Sequence, residues 1–153
     1  ECVQTMVKIA NRVEPEIDYW KRFRTNDNMD LSDFETKVAY STCVTAMNME
    51  ADAIVCYTNS GNSARKLAGL GAGCPILAIT DNRKTFNQLA LAWNVTPVYV
   101  EKNEKIDTTV ENGIKKLQDK GILEKGDTIV ISGGASFLPD AEESKVVASV
   151  AKI

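Results

Sequence analysis

The sequence predicts an α/β domain: a three-layer open sheet of about five strands, mostly parallel with the last strand antiparallel, and helices on both faces. Two observations predict it. Four short apolar, β-branched segments, AIVCYT at 53–58, PILAIT at 75–80, VTPVYV at 95–100 and DTIVIS at 127–132, alternate with three segments of helical periodicity. Parallel strands require that alternation, because each must return to the same end of the sheet through a crossover. The last apolar segment, SKVVASVAKI at 144–153, has no helix before it. Its direct return predicts an antiparallel partner.

The elements follow in order. In ECVQTMVKIANRVEPEIDYWKRF, residues 1–23, Val3, Met6, Val7, Ala10 and Val13 recur at helical spacing until Pro15 ends or bends the helix. That apolar stripe calls for a partner surface. The chain opens in helical phase and without a methionine, which predicts a piece of a longer protein. RTNDNMD at 24–30 reads as a polar linker. Ser32 and Glu35 have the spacing of a capping box, for a helix with Leu31, Phe34, Val38, Thr42, Ala46 and Met49 on its inner face. Between the strands, SARKLAGL, RKTFNQLALAWN and TTVENGIKKLQDKG are the three crossover helices, with glycines ending the first and Gly121 past the end of the third. Trp20 and Trp93 read as core anchors. Asp81 reads as the N-cap of the second crossover helix, with Asn82 as its near-equivalent. Lys115, Lys116, Asp119 and Lys120 form a solvated face.

Composition narrows the function. The 153 residues, 44% hydrophobic and 25% charged, suit one domain with a real core. Eighteen Lys and Arg stand against 21 Asp and Glu without long runs of either sign, which disfavours nucleic acid or an anionic membrane as partner. There is no histidine, so the commonest general base and the commonest transition-metal ligand are both missing. No metal site is expected. Cys2, Cys43, Cys56 and Cys74 form no CxxC pair, and three of them lie in or beside apolar segments. They read as structural thiols of a reducing compartment, and the expected location is cytoplasmic. No apolar run approaches the roughly 20 residues of a membrane span.

Ligands of open parallel sheets bind beyond the carboxyl ends of the strands. After the first strand comes TNSGNS: Thr58, Asn59, Ser60, Gly61, Asn62 and Ser63. An oxyanion needs converging donors, and amides at a helix start supply them with the positive end of the helix dipole. Gly61 permits close backbone approach, and the hydroxyls and amides add side-chain donors. Nothing within the loop is acidic. The same composition also serves as an ordinary strand-to-helix turn. The fourth strand ends in a second Ser/Gly loop, Ser132, Gly133 and Gly134, where a tight turn is the plainer reading. Neither loop carries a partner base, so no catalytic residue is assigned.

These segments carry a resemblance. The chain resembles the C-terminal domain of pyruvate kinase, preceded by the last helix of that enzyme's barrel. ECVQTMVKIANRVE is similar to the family's EAV-x-x-M helix, and AIVCYTNSGNSARKLA to its A-x-I-V-x-x-T-x-S-G-x-[ST]-A segment. PILAIT, LALAWNVTPVYV and KGILEKGDTIVISGG resemble its later segments, in family order. The resemblance implies residues 1–23 as the barrel's terminal helix, 24–30 as a linker and 31–153 as the α/β domain. It implies a parent enzyme that makes pyruvate and ATP from phosphoenolpyruvate and ADP, with Mg²⁺ and K⁺ in a barrel that this stretch lacks. This piece would then be inactive alone and serve regulation and tetramer assembly. It further implies that TNSGNS grips a phosphate of a phosphorylated effector, with Ser132, Gly133 and Gly134 as a possible second effector loop. A free-standing phosphosugar module of the sugar isomerase type, or a purely structural assembly domain, are the alternatives.

Three departures from the family pattern matter. Ala72-Gly73-Cys74 stands where Arg-Pro is common, and Asn94 where Gly is usual. After Gly134 the chain carries Asp140, Glu142 and Glu143 rather than a basic residue. A monophosphate or adenylate effector, or none, fits that change better than a bisphosphate.

Overall fold

The computed structural model describes residues 2–25, 31–133 and 147–153. Gly134, Asp140, Glu142, Glu143 and most of the linker lie outside them. The strands are β1 (Ala53–Tyr57), β2 (Ile76–Thr80), β3 (Val95–Tyr99), β4 (Thr128–Gly133) and β5 (Val147–Lys152). They form one sheet in the order β3-β2-β1-β4-β5. Every pairing is parallel except β4 with β5, which is antiparallel. The sheet is thus the one expected.

The helices are α1 (Cys2–Val13), α2 (Tyr19–Arg24), α3 (Phe34–Asn48), α4 (Asn62–Leu70), α5 (Arg83–Leu89) and α6 (Ile106–Asp119). Strand residues alternate between two buried layers, because successive side chains of a strand point to opposite faces. Ile54, Cys56, Ile76, Ala78 and Val130 pack with Ala39, Cys43 and Ala46 of α3, Ala64 and Leu67 of α4, and Leu89 of α5. Ala53, Val55, Leu77, Ile79, Val98 and Ile129 pack with Leu117 of α6, flanked by Val110 and Ile114. Both faces are covered, so the central strands read as continuous apolar runs.

Four local expectations are corrected. The cap of α3 is Asp33, not Ser32: its Oδ2 accepts from the Thr36 amide at 3.1 Å and the Thr36 hydroxyl at 2.8 Å, so the helix starts one residue later. Its inner face is Ala39, Thr42, Cys43 and Ala46, while Phe34 and Met49 are exposed, because small residues let the helix approach the sheet closely. The second crossover helix ends at Leu89 rather than running to Asn94, and Trp93 lies at the surface, 5.0 Å from the ring of Tyr19. The first helix stops before Pro15, as expected, so residues 1–23 carry two helices. After a 3₁₀ turn at Glu14–Glu16, α2 docks on the α/β core: Phe23 is buried and stacks on Tyr40 at 5.2 Å. Trp20 fills the space a side chain on Gly73 would need, since a Cβ there would lie 2.6 Å from its ring. No residue of α1 is buried, and Val3, Met6, Val7, Ile9 and Val13 are all exposed.

The thiols divide sharply. Cys43, Cys56 and Cys74 are buried and unpaired, and Cys2 is exposed. Burial pushes Cys43 and Cys56 up to about 12 and Cys74 to about 11, because a thiolate loses its hydration there. A thiolate-selective reagent at neutral pH should therefore titrate about one thiol per folded chain and about four after denaturation. Rapid reaction of two or more in the folded chain would contradict this packing.

Candidate functional site

After β1 the chain adds β2 and β3 on one side, then crosses back to place β4 on the other. The carboxyl ends of β1 and β4 therefore flank the switch point of the sheet. Thr58–Ser63 leaves β1 there, and Ser132–Gly133 ends β4 beside it, with Cys56 paired to Ser132. The fold brings the two expected Ser/Gly loops onto adjacent strands. Ser132 is buried, and its Oγ accepts from the Thr42 hydroxyl at 3.2 Å, tying α3 to that strand end.

Thr58 extends the ladder beyond β1 through its amide to the Ile79 carbonyl at 2.9 Å. Its buried Oγ1 accepts from the Gly61 amide at 2.9 Å and folds the loop back on itself. Gly61 has φ +82°, a left-handed conformation that glycine adopts without strain, and caps α4 with no side-chain hydrogen bond. The amides of the first turn of α4 have no acceptor within the helix, and they carry the positive end of its dipole. Ser60 Oγ reaches the Asn62 amide at a long 3.4 Å. Asn59, Ser60 and Asn62 are exposed and Ser63 half-buried, so side chains of the loop face solvent.

Tertiary packing adds groups that the loop's own sequence does not reveal. The Thr85 hydroxyl of α5 donates to the Asn59 carbonyl at 2.6 Å and pins the loop to the next crossover. Arg65 lays its guanidinium back over the loop and donates to the Ser60 carbonyl at 2.8 Å. A Cβ on Gly61 would stand 2.8 Å from that guanidinium. One turn into the helix from Gly61, Arg65 has the spacing that would have marked it.

Two carboxylates also reach the loop. Asn59 donates to Asp81 Oδ1 at 2.9 Å, and Asn62 donates to Glu35 Oε2 in a short contact. Lys66 of α4 pairs with Glu35 at 3.0 Å and with Asp33. The hydrogen bond from Lys66, then that from Thr36, holds the Asp33 carboxyl down at about 2. Asp81 is not the cap expected of it. Asn82 caps α5, its Oδ1 accepting from the Lys84 and Thr85 amides at 2.9 and 3.3 Å, which leaves Asp81 for Asn59. Burial, and then Asp81 beside it, raises the Tyr57 hydroxyl. Among the described residues no group of three or more His, Cys, Asp and Glu could hold a metal ion.

The profile of one protein family, pyruvate kinase alpha/beta domain, matches residues 36–145. The chain belongs to that family. Its curated relatives include the pyruvate kinase of Clostridium acetobutylicum, 31% identical over 134 residues, 88% of this chain and 28% of the relative. The Thermotoga maritima pyruvate kinase is 30% identical over 134 residues, again 88% of this chain and 28% of the relative. The chain thus spans little more than a quarter of their length. The solved Cryptosporidium parvum pyruvate kinase in complex with ADP superposes with a TM-score of 0.78 over 89% of this chain and 27% of that one, at 18% identity, a likeness of fold. A pyruvate kinase alpha/beta domain is therefore what carries the TNSGNS loop.

Proposed function

We propose that this alpha/beta domain is the regulatory and assembly part of a pyruvate kinase, and that Thr58, Asn59, Ser60, Gly61, Asn62 and Ser63 bind the phosphate of a phosphorylated effector. The observation that carries the reading is the left-handed Gly61, which opens α4 at the sheet's switch point with hydroxyls and amides gathered around the helix start. Ser132 and Gly133, on the adjacent strand, with Gly134 beyond them, would form the second effector loop. The phosphoryl transfer from phosphoenolpyruvate to ADP would belong to a barrel elsewhere in the parent chain, whose Mg²⁺ and K⁺ supply charge neutralisation there. This stretch would then be inactive by itself.

In this reading residues 1–23 close the barrel, with α1 as its last helix and α2 docked on this domain, 24–30 are the linker and 31–153 the domain, and the barrel covers the apolar stripe of α1. Effector binding would regulate by favouring one packing of this domain against the barrel and against neighbouring subunits of a tetramer, since a ligand shifts only equilibria whose states it binds unequally. The location expected for such an enzyme is the cytoplasm.

Thermal unfolding with and without phosphorylated metabolites tests the site. A sugar phosphate at about 100 times its dissociation constant should stabilise the fold by roughly 2.7 kcal/mol, a midpoint shift of several degrees. Ser60→Asp, checked by circular dichroism to be folded, should abolish that shift by placing a carboxylate where the phosphate would sit. An unchanged midpoint with every phosphate ester would favour a purely structural assembly domain.

A further inference from the structure

The two helices that open the chain are held in different ways. No residue of α1 is buried, whereas the shorter α2 is fixed to the α/β layers by three aromatic side chains. Phe23 stacks on Tyr40 of α3, Trp20 lies against Gly73 ahead of β2, and the Tyr19 ring meets Trp93 ahead of β3 at 5.0 Å. These contacts reach three separate parts of the domain, so α2 cannot tilt without giving up apolar contact. Ile17 (φ −87°, ψ 115°) and Asp18 (φ −78°, ψ 87°) separate the helices, and both leave helical geometry. Pro15 brings no amide, and the Ile17 amide bonds back to the Glu14 carbonyl at 3.2 Å. On the other side Asp18 caps α2 through the Lys21 amide at 2.8 Å. Each side thus closes its hydrogen bonds largely on itself, which leaves the two residues between them able to absorb a change of φ and ψ.

The Tyr19 side chain spans this point. Its ring rests on Trp93, and its hydroxyl donates to Glu14 Oε1 at a long 3.4 Å. A cavity of about 450 Å³ opens beside the ring, lined by Arg22, Phe23, Trp93 and the end of α4, where Gly69 and Gly71 add no side chain. The ring therefore has room to turn while Phe23 stays buried. We propose that Ile17–Asp18 is a pivot, that α2 moves with the α/β domain rather than with α1, and that Tyr19 is the strut that sets the angle between the helices. A rotation of the domain is then delivered to α1 as a change of that angle, and the boundary between the moving parts falls before α2 rather than after it. The pivot stands on contacts within this chain, and only the regulatory use of its swing rests on the reading above.

Hydrogen exchange of the chain, read by mass spectrometry on peptides from either side of Ile17–Asp18, tests the pivot. Amides of α2 should exchange at least about tenfold more slowly than those of α1, because they open only with the domain. Phe23→Ala should remove that protection and leave β1 and β2 protected. Equal exchange of the two helices in the unaltered chain would overturn the pivot. For the strut, spin labels on the exposed Cys2 and on Lys115→Cys, at an exposed position of α6, report the distance from α1 to the domain, while the three buried thiols stay unlabelled. Tyr19→Phe keeps the ring on Trp93 and deletes only the hydroxyl, so the distance distribution should broaden. An unchanged distribution would remove Tyr19 as the strut. Neither measurement includes a ligand, so failure here and failure of the effector reading are separate results.

Discussion

Gly113→Val should lower the midpoint of thermal unfolding by about 10 °C, one of the two largest effects expected of a single substitution here. Gly113 is buried on the face of α6 that meets the sheet, and a Cβ placed on it would stand 2.4, 2.7 and 2.8 Å from three side-chain carbons of Ile79. Ile79 is fully buried on β2, held between Tyr57 of β1 and Val98 of β3. A β-branched side chain in that register leaves it nowhere to turn, so α6 must lift from the sheet. Overpacking of this kind costs about 3 kcal/mol, and a chain of this length loses a few degrees per kcal/mol. Gly113→Ala should cost less, because alanine regains about 1 kcal/mol of helix propensity over glycine. Thermal unfolding monitored by circular dichroism checks both. A change of less than about 2 °C for the valine variant would mean that α6 is not seated on Ile79 as described.

Asn94→Ala should destabilise by about 2–3 kcal/mol, and Asn94→Gly by clearly less. Asn94 adopts φ +57°, a left-handed conformation that costs other residues roughly 1 kcal/mol relative to glycine. Its side chain also donates to the carbonyls of Ala72 and Cys74, at 3.2 and 2.8 Å, and its own carbonyl accepts from the Ile76 amide at 2.9 Å. Glycine keeps the backbone and loses the two side-chain bonds, each worth about 1 kcal/mol, whereas alanine loses both and adds strain. The expected order of stability is Asn94, then Gly, then Ala. If the glycine variant equals or exceeds the parent in a urea titration, the two side-chain bonds contribute nothing.

How much of this was legible beforehand differs from one group of residues to the next. The TNSGNS loop stood out because a strand that ends in small polar residues before a helix is a local pattern, and its donors are backbone amides that any sequence with that pattern supplies. Arg65 was within reach of the same reasoning, being one turn from Gly61, but was not singled out within the SARKLAGL helix. Asp81 was seen and given the wrong task, because Asp and Asn are near-equal caps and only the backbone conformation of residue 82 chose between them. Trp93 was assigned to the core from its size, yet α5 stops at Leu89 and the turn to Asn94 carries the indole outward to Tyr19.

By itself the sequence determined the strand and helix order, the parallel sheet with its antiparallel last strand, the family and the loops at the strand ends, because these follow from periodicity, turn residues and short-range spacing. Only the tertiary structure decided what surrounds those loops. Lys66 on Asp33 and Glu35, Glu35 on Asn62, Asp81 on Asn59 and Trp20 on Gly73 join residues 22 to 53 positions apart. Such contacts arise from how the crossovers stack their helices on a twisted sheet, which no local pattern encodes. The loop was therefore legible from local sequence, while the charged side chains around it reach it only once the chain is folded.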